Sequence, residues 1–210
     1  MIDRNAWERA WQGLGVAAPA AVEHEKLIAC YAEKHRAYHT LQHLEECLTQ
    51  LDQVRALCSH PDEVALALWY HDAIYKPRRS DNEARSADWL VNVAKQIAVT
   101  TSYIERMRKL VLATRHNTVP EDIDAQILVD IDLSILGASG ERFDEYERQV
   151  RREYRWVPFP LYRAQRTRVL KSFVERARIY STEHYFNLLE SRARENIRRS
   201  IGLDTTESTI

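Results

Sequence analysis

The stretch "PDEVALALWYHDAIY", Pro61 to Tyr75, is apolar nearly all round from Val64 to Tyr70. A helix without a polar face has to be enclosed by other elements, so this segment predicts the central helix of a fold built around it. Its last turn is expected to carry His71 and Asp72, which break the apolar pattern. A carboxylate in that setting is strongly disfavoured unless a cation or strong donors compensate it. Two answers stand open here. Either Asp72 accepts from an arginine or a helix N-terminus and His71 is a satisfied core histidine, or the pair belongs to a metal site.

The rest of the chain reads as the enclosure. Only five glycines and six prolines punctuate 210 residues, and no segment alternates apolar and polar positions over a strand's length, which predicts an all-α fold. Helices are expected from Asp3 to about Gly13, from Pro19 to Tyr31, and from Thr40 to Cys58, the last with an inward stripe of Leu41, Leu44, Leu48, Leu51 and Val54. Ser80 or Asp81 can cap the next helix, which runs to about Ile97; "TTSYIERMRKLVLATRH" ends another near His116, and "EDIDAQILVDIDLSILG" one that Gly137 ends. A charged helix to about Trp156, a "VPFP" break and two long Arg-rich helices from Leu161 to Ser200 complete the chain, before a tail, "GLDTTESTI", expected to fray. The expected organisation is a helical domain over 1–156 with a helical extension over 157–210 packed on it.

The net charge of −1 predicts no general attraction to nucleic acid or anionic lipid, and no apolar run is long enough to span a membrane. With no secretory leader in "MIDRNAWERAWQ", the expected compartment is the cytoplasm, with no membrane partner. Charge is unevenly placed, however: residues 151–200 carry twelve arginines and one lysine against five carboxylates. These arginines can form a solvated face, which is the default, a nucleic-acid surface, which sparse aromatic interleaving disfavours, or a phosphate clamp. Cys30, Cys47 and Cys58 form no CxxC pair and read as core residues, although Cys47 lies one helical turn beyond His43. Oligomeric state is not encoded in any of these patterns.

"YHTLQH", Tyr38 to His43, sets two histidines four residues apart on one helix face. With His71, Asp72 and Asp132, which interrupts another apolar helix, His43 completes a set of two imidazoles and two carboxylates. Such a set suits one divalent Mn, Fe, Co, Ni, Zn or Mg ion.

The order His43, His71-Asp72, Asp132 resembles the H…HD…D signature of the HD-domain superfamily of metal-dependent phosphohydrolases, over roughly Ala37 to Gly137. "IDLSILG" is similar to that superfamily's last motif and places the final ligand at Asp132 rather than Asp130. The resemblance implies an HD-domain-like helical bundle with an Arg-rich C-terminal extension. It also implies hydrolysis, by metal-activated water, of a small phosphorylated substrate such as a nucleotide or phosphomonoester. "YHTLQH" is similar to a stretch of the cyclic-nucleotide phosphodiesterases, which implies that His39 protonates the leaving group while His43 binds metal. His116 is a second candidate for acid or phosphate-binding work, and Arg36, Arg115 and Asn117 are expected at the substrate. Di-iron oxygenases of the same superfamily carry a further histidine where this chain has Asn82, in "NEARSA". One metal is therefore expected, with Glu83 orienting its water or capping a helix. A metal-binding regulatory module without turnover is the alternative, and a di-iron oxygenase ranks below it.

Overall fold

The computed structural model describes residues 2–203, so most of the tail expected to fray, 204–210, lies outside the described residues. Among those residues the protein is all-α. Its helices are α1 (Arg4–Gly13), α2 (Ala21–Tyr31), α3 (Leu41–Val54), α4 (Pro61–Tyr70), α5 (Asn82–Gln96), α6 (Thr101–Ala113), α7 (Ile123–Asp132), α8 (Gly140–Glu153), α9 (Phe159–Val174) and α10 (Glu183–Ile201). Short 3-10 segments, Arg55–Leu57 and Leu133–Gly137, follow α3 and α7. No helix among the described residues is long and apolar enough to cross a membrane. The chain divides into two compact units, one ending at Asp132 and one beginning at Leu133.

In the first unit α4 is the centre, packed on α1, α3, α5, α6 and α7. Every residue from Glu63 to Tyr70 is buried, as the all-round apolar pattern requires. The one charge in that run, Glu63, is met by a two-pronged contact from Arg106 of α6 at 2.8 and 2.5 Å. The N-terminus of α4 has Pro61 in its first turn, where a missing N–H costs nothing. Its cap comes from another helix: the buried Asp124 carboxylate of α7 accepts from Ser59 N (2.7 Å), His60 N (3.0 Å) and His60 Nδ1 (2.8 Å).

Three expectations about helix ends are corrected. α4 stops at Tyr70, so His71 and Asp72 occupy a turn just beyond it rather than its last helical turn. The chain leaves the helix because its next backbone groups are satisfied elsewhere: Arg36 donates to Asp72 O and Ala73 O, and Ile74 N donates to Ser86 Oγ. α6 ends at Ala113, leaving His116 outside it in the left-handed region, φ 55°. Asp81 precedes α5 without capping it, since its carboxylate takes both prongs of Arg79.

In the second unit α10 packs along Leu133–Gly137 and α9, and Leu133–Gly137 packs on α8. A Cβ at Gly137 would lie 2.7 Å from that of Leu189, so only glycine allows this approach. Asn196 Nδ2 donates to Leu136 O and Ala138 O, and Tyr180 Oη to Leu133 O. Of α9, only Leu170 and Phe173 are buried.

Because Asp124 accepts from a buried position the N–H groups of Ser59 and His60, which lead into α4, and the His60 ring, Asp124→Ala is expected to lower the unfolding free energy by about 2–3 kcal/mol. Asp124→Asn, which keeps an accepting oxygen, should recover part of the loss. Urea unfolding of the three proteins measures both.

Candidate metal centre

Three chain segments of the first unit deliver their side chains to one point. His43 comes from the first turn of α3, His71 and Asp72 from the turn after α4, and Asp132 from the end of α7. His43 Nε2 lies 3.2 Å from His71 Nε2, 3.1 Å from Asp132 Oδ1 and 3.6 Å from Asp72 Oδ2. His71 Nε2 lies 3.1 Å from Asp72 Oδ2 and 3.6 Å from Asp132 Oδ1. Two donors each about 2.1 Å from one ion, at angles between octahedral and tetrahedral, are about 3.0–3.4 Å apart. Three of the separations, 3.1–3.2 Å, lie in that range and two, at 3.6 Å, are slightly longer. His43, Cys47, His71 and Asp132 form the group whose donor atoms all lie within 4.8 Å of one another and could hold an ion, with Asp72 beside it. Asp130, two residues from Asp132 and hence on the opposite side of α7, is outside this group. Asp72 is outside it too and meets it through His71 at 3.1 Å and His43 at 3.6 Å.

The donors are oriented by a further ring of contacts. His71 Nδ1 donates to Leu68 O at 2.8 Å, which turns the Nε2 lone pair toward the cluster. Asp132 uses its other oxygen, Oδ2, to accept from His116 Nε2 at 2.9 Å. Cys47 brings its sulfur to 3.7 Å from Nδ1 and 3.8 Å from Nε2 of His43, and its Sγ joins the His43, His71 and Asp132 ligand atoms within a 4.8 Å group. Near-equal distances to both ring nitrogens set the sulfur against the imidazole rather than in line with its Nε2 lone pair. Burial, with Asp132 and Asp72 adding to it, pushes the Cys47 thiol well above its ordinary pKa while no cation is near it.

Without a cation the cluster balances its charge with protons. Burial alone would raise the Asp132 carboxyl, but contacts from His116, His43 and His71 hold it well below the usual carboxylate range. Burial of Asp72 is likewise outweighed by His71, His39 and His43, which lower it. For His71 burial opposes the charged ring, yet Asp72 and Asp132 raise its pKa well above the ordinary value. A divalent ion would replace the proton on His71 and leave two carboxylates, two neutral imidazoles and no net charge.

The remaining residues singled out from sequence divide into two groups. His39 stands at the rim: its ring centroid is 6.0 Å from that of His43, it stacks on Tyr75 at 4.0 Å, and its field acts on Asp72. His116 touches the cluster through Asp132, from a backbone conformation that is unfavourable by about 1–2 kcal/mol for a residue with a Cβ. Glu83 and Arg115 face each other, 3.9 Å apart. Asn117 is exposed beyond His116. Arg36 is placed differently from a substrate contact. Its side chain is wholly buried, and its guanidinium donates to His39 O (3.1 Å), Asp72 O (2.6 Å), Ala73 O (2.9 Å) and Glu33 Oε2 (3.1 Å). Asn82 is also engaged: Oδ1 accepts from Lys76 N and Nδ2 donates to Lys76 O, closing the loop before α5. Sequence reasoning missed Tyr75, which carries the His39 ring and accepts from His35 through its carbonyl at 2.7 Å. Its only signal was its position three residues after Asp72, at the end of the apolar run.

Because a proton on His71 competes with the ion, metal affinity is expected to rise with pH through 6.5 and to go on rising up to the elevated pKa of that ring. Titration of a divalent ion against a chromophoric chelator at several pH values checks the sign, and His43→Ala or Asp132→Ala should abolish binding with helicity retained. Arg36 is not among the donor residues, but it fixes the turn that presents Asp72. Arg36→Ala should therefore weaken metal binding by about 10–100-fold, and Arg36→Lys, lacking the planar fork, should not restore it.

Compared with models of protein families, with curated proteins and with solved structures, the chain finds no match, and its candidate function rests on the donor atoms described above.

Proposed function

We propose that the chain is a metal-dependent phosphohydrolase of HD-domain-like architecture, acting on a small phosphorylated molecule such as a nucleotide or phosphomonoester. The observation that carries this reading is the convergence of two imidazole nitrogens, 3.2 Å apart, each with a carboxylate oxygen of Asp72 and of Asp132 at 3.1–3.6 Å, with two more histidines at the rim. His43, His71, Asp72 and Asp132 would hold a divalent ion, which would supply an activated water and a Lewis acid for a phosphoryl oxygen.

The chain's own residues supply the rest. His116 holds Asp132 Oδ2, so that Oδ1 faces the two imidazoles. His39, stacked on Tyr75 and tied through its carbonyl to Arg36, is presented beside the cluster for proton delivery to a leaving oxygen. With Arg36 engaged by backbone carbonyls, Arg115 is the remaining cation for a substrate phosphate, and Glu83 keeps it in place until substrate arrives. The engagement of Asn82 with Lys76 favours the mononuclear form over a two-iron centre, because its amide is taken by the loop.

The test is phosphate release from nucleoside mono-, di- and triphosphates, cyclic nucleotides and an activated aryl phosphate, with and without chelator, under several divalent ions. Chelator-sensitive release is expected. His39→Ala should lower turnover by about 10²–10⁴-fold on natural leaving groups and much less on the aryl phosphate, which needs no proton. Equal losses on both would remove His39 from proton delivery. Metal binding with no release from any substrate would reduce the chain to a regulatory module, and about two coupled irons per chain with oxygen consumption would replace the hydrolase by an oxygenase.

A further inference from the structure

The turn from α8 into α9, in the unit that begins at Leu133, holds large apolar side chains in water. Trp156, Phe159 and Leu161 are 49%, 58% and 64% exposed. The turn is built rather than loose. Arg151 donates to Tyr154 O (2.7 Å) and Val157 O (3.1 Å), and its guanidinium lies over the rings of Tyr162 (4.7 Å) and Phe159 (5.8 Å). Pro158 and Pro160 fix the backbone on either side of Phe159. A fixed cluster of exposed apolar groups marks a surface that something covers.

The surroundings specify that something. Arg152, Arg155 and Arg163 are exposed around the turn, and none forms an ion pair among the described residues. Of the nine arginines and lysines in residues 151–178, Arg166 pairs with Glu147, Arg178 with Glu183 and Lys171 with Glu175, and Arg151 is held by backbone carbonyls, so the net positive charge of the turn rests on Arg152, Arg155 and Arg163, with Glu153 buried. The covering body is therefore anionic and has an apolar layer. A second copy of this chain would set one cationic rim against another. A nucleic acid would use the aromatic faces but not Leu161 or the prolines. A bilayer with anionic lipid uses all of them: aromatic and aliphatic side chains enter the interface, and arginines meet the headgroup phosphates.

We propose that the α8–α9 turn is a membrane-docking tip, inserting Trp156, Phe159 and Leu161 into the interface of an anionic phospholipid bilayer while Arg152, Arg155 and Arg163 contact its headgroups. This departs from the expectation of no membrane partner drawn from net charge, and it does not depend on the metal-site reading.

The test is cosedimentation of the full chain with phosphatidylcholine vesicles and with phosphatidylcholine–phosphatidylserine vesicles. Binding is expected to the mixed vesicles only and to weaken with salt. Trp7, Trp11 and Trp69 are buried and Trp89 is half-buried, so a blue shift of tryptophan emission on binding should vanish in Trp156→Phe. Phe159→Ser with Leu161→Ser should lower binding by at least about tenfold, and each of Arg155→Ala and Arg163→Ala by about fivefold. Circular dichroism of these surface variants should stay unchanged. Absence of binding to mixed vesicles, or binding that ignores these substitutions, overturns the proposal. So does single-stranded RNA that competes the chain off vesicles through the same residues, or lipid-free dimerisation abolished by Leu161→Ser.

Discussion

The first unit depends on how α7 lies beside α4. At its beginning α7 gives Asp124 to the N-terminus of α4, and at its end it gives Asp132 to the residues that follow α4. The two helices therefore run parallel and are joined at both ends by carboxylates doing different work. Eight residues separate the two aspartates, about 12 Å of helix. The cap thus fixes the axial position of α7, and with it how far Asp132 reaches toward the imidazoles. A slip of one residue would rotate that carboxylate by about 100° and take it out of the group.

At the other end of α4, electrostatics and backbone termination are one problem. A helix C-terminus carries partial negative charge and unsatisfied carbonyls. Here the last carbonyls of α4 are met by His71 Nδ1 at Leu68, Tyr31 Oη at Trp69 and Ala73 N at Tyr70, and Arg36 takes those of Asp72 and Ala73 in the turn beyond, while the Asp72 side chain turns toward the histidines. One buried arginine is thereby engaged by the backbone of the turn and by Glu33, and not by the Asp72 carboxylate. The exposed ion pairs of α1, such as Arg4 with Glu8, have no comparable effect, because water screens them.

Much of this was legible in one dimension, and the reason is periodicity. The all-round apolar run of α4 identified the central helix, and three- and four-residue spacings identified the inward face of α3, whose Leu44, Leu51 and Val54 are buried. His71, Asp72 and Asp132 stand out as polar residues interrupting apolar segments, and His43 by its four-residue spacing from His39. What satisfies a given polar group was not visible, since that depends on which distant residue folding brings near. Arg36 read as a substrate contact because an arginine beside a histidine is only a charge in sequence; its carbonyl partners lie 36 and 37 positions away. Asp124 carried no signal as a cap for a helix 64 residues upstream. The exposed face of α9 was hidden for the same reason, because burial is a property of neighbours that composition averages over.

Cys47 adds a consequence for which metals the centre would accept. Its sulfur belongs to the group of donor atoms that could hold an ion, yet hard ions such as Mg²⁺ or Mn²⁺, which prefer oxygen and nitrogen, would leave it unbound. A thiophilic ion such as Cd²⁺ or Cu⁺ would displace its proton and draw the sulfur in, closing a coordination position that water or substrate would otherwise take. The same pocket would then be a centre in one ionic milieu and a poisoned, over-tight trap in another, with one α3 side chain deciding between them.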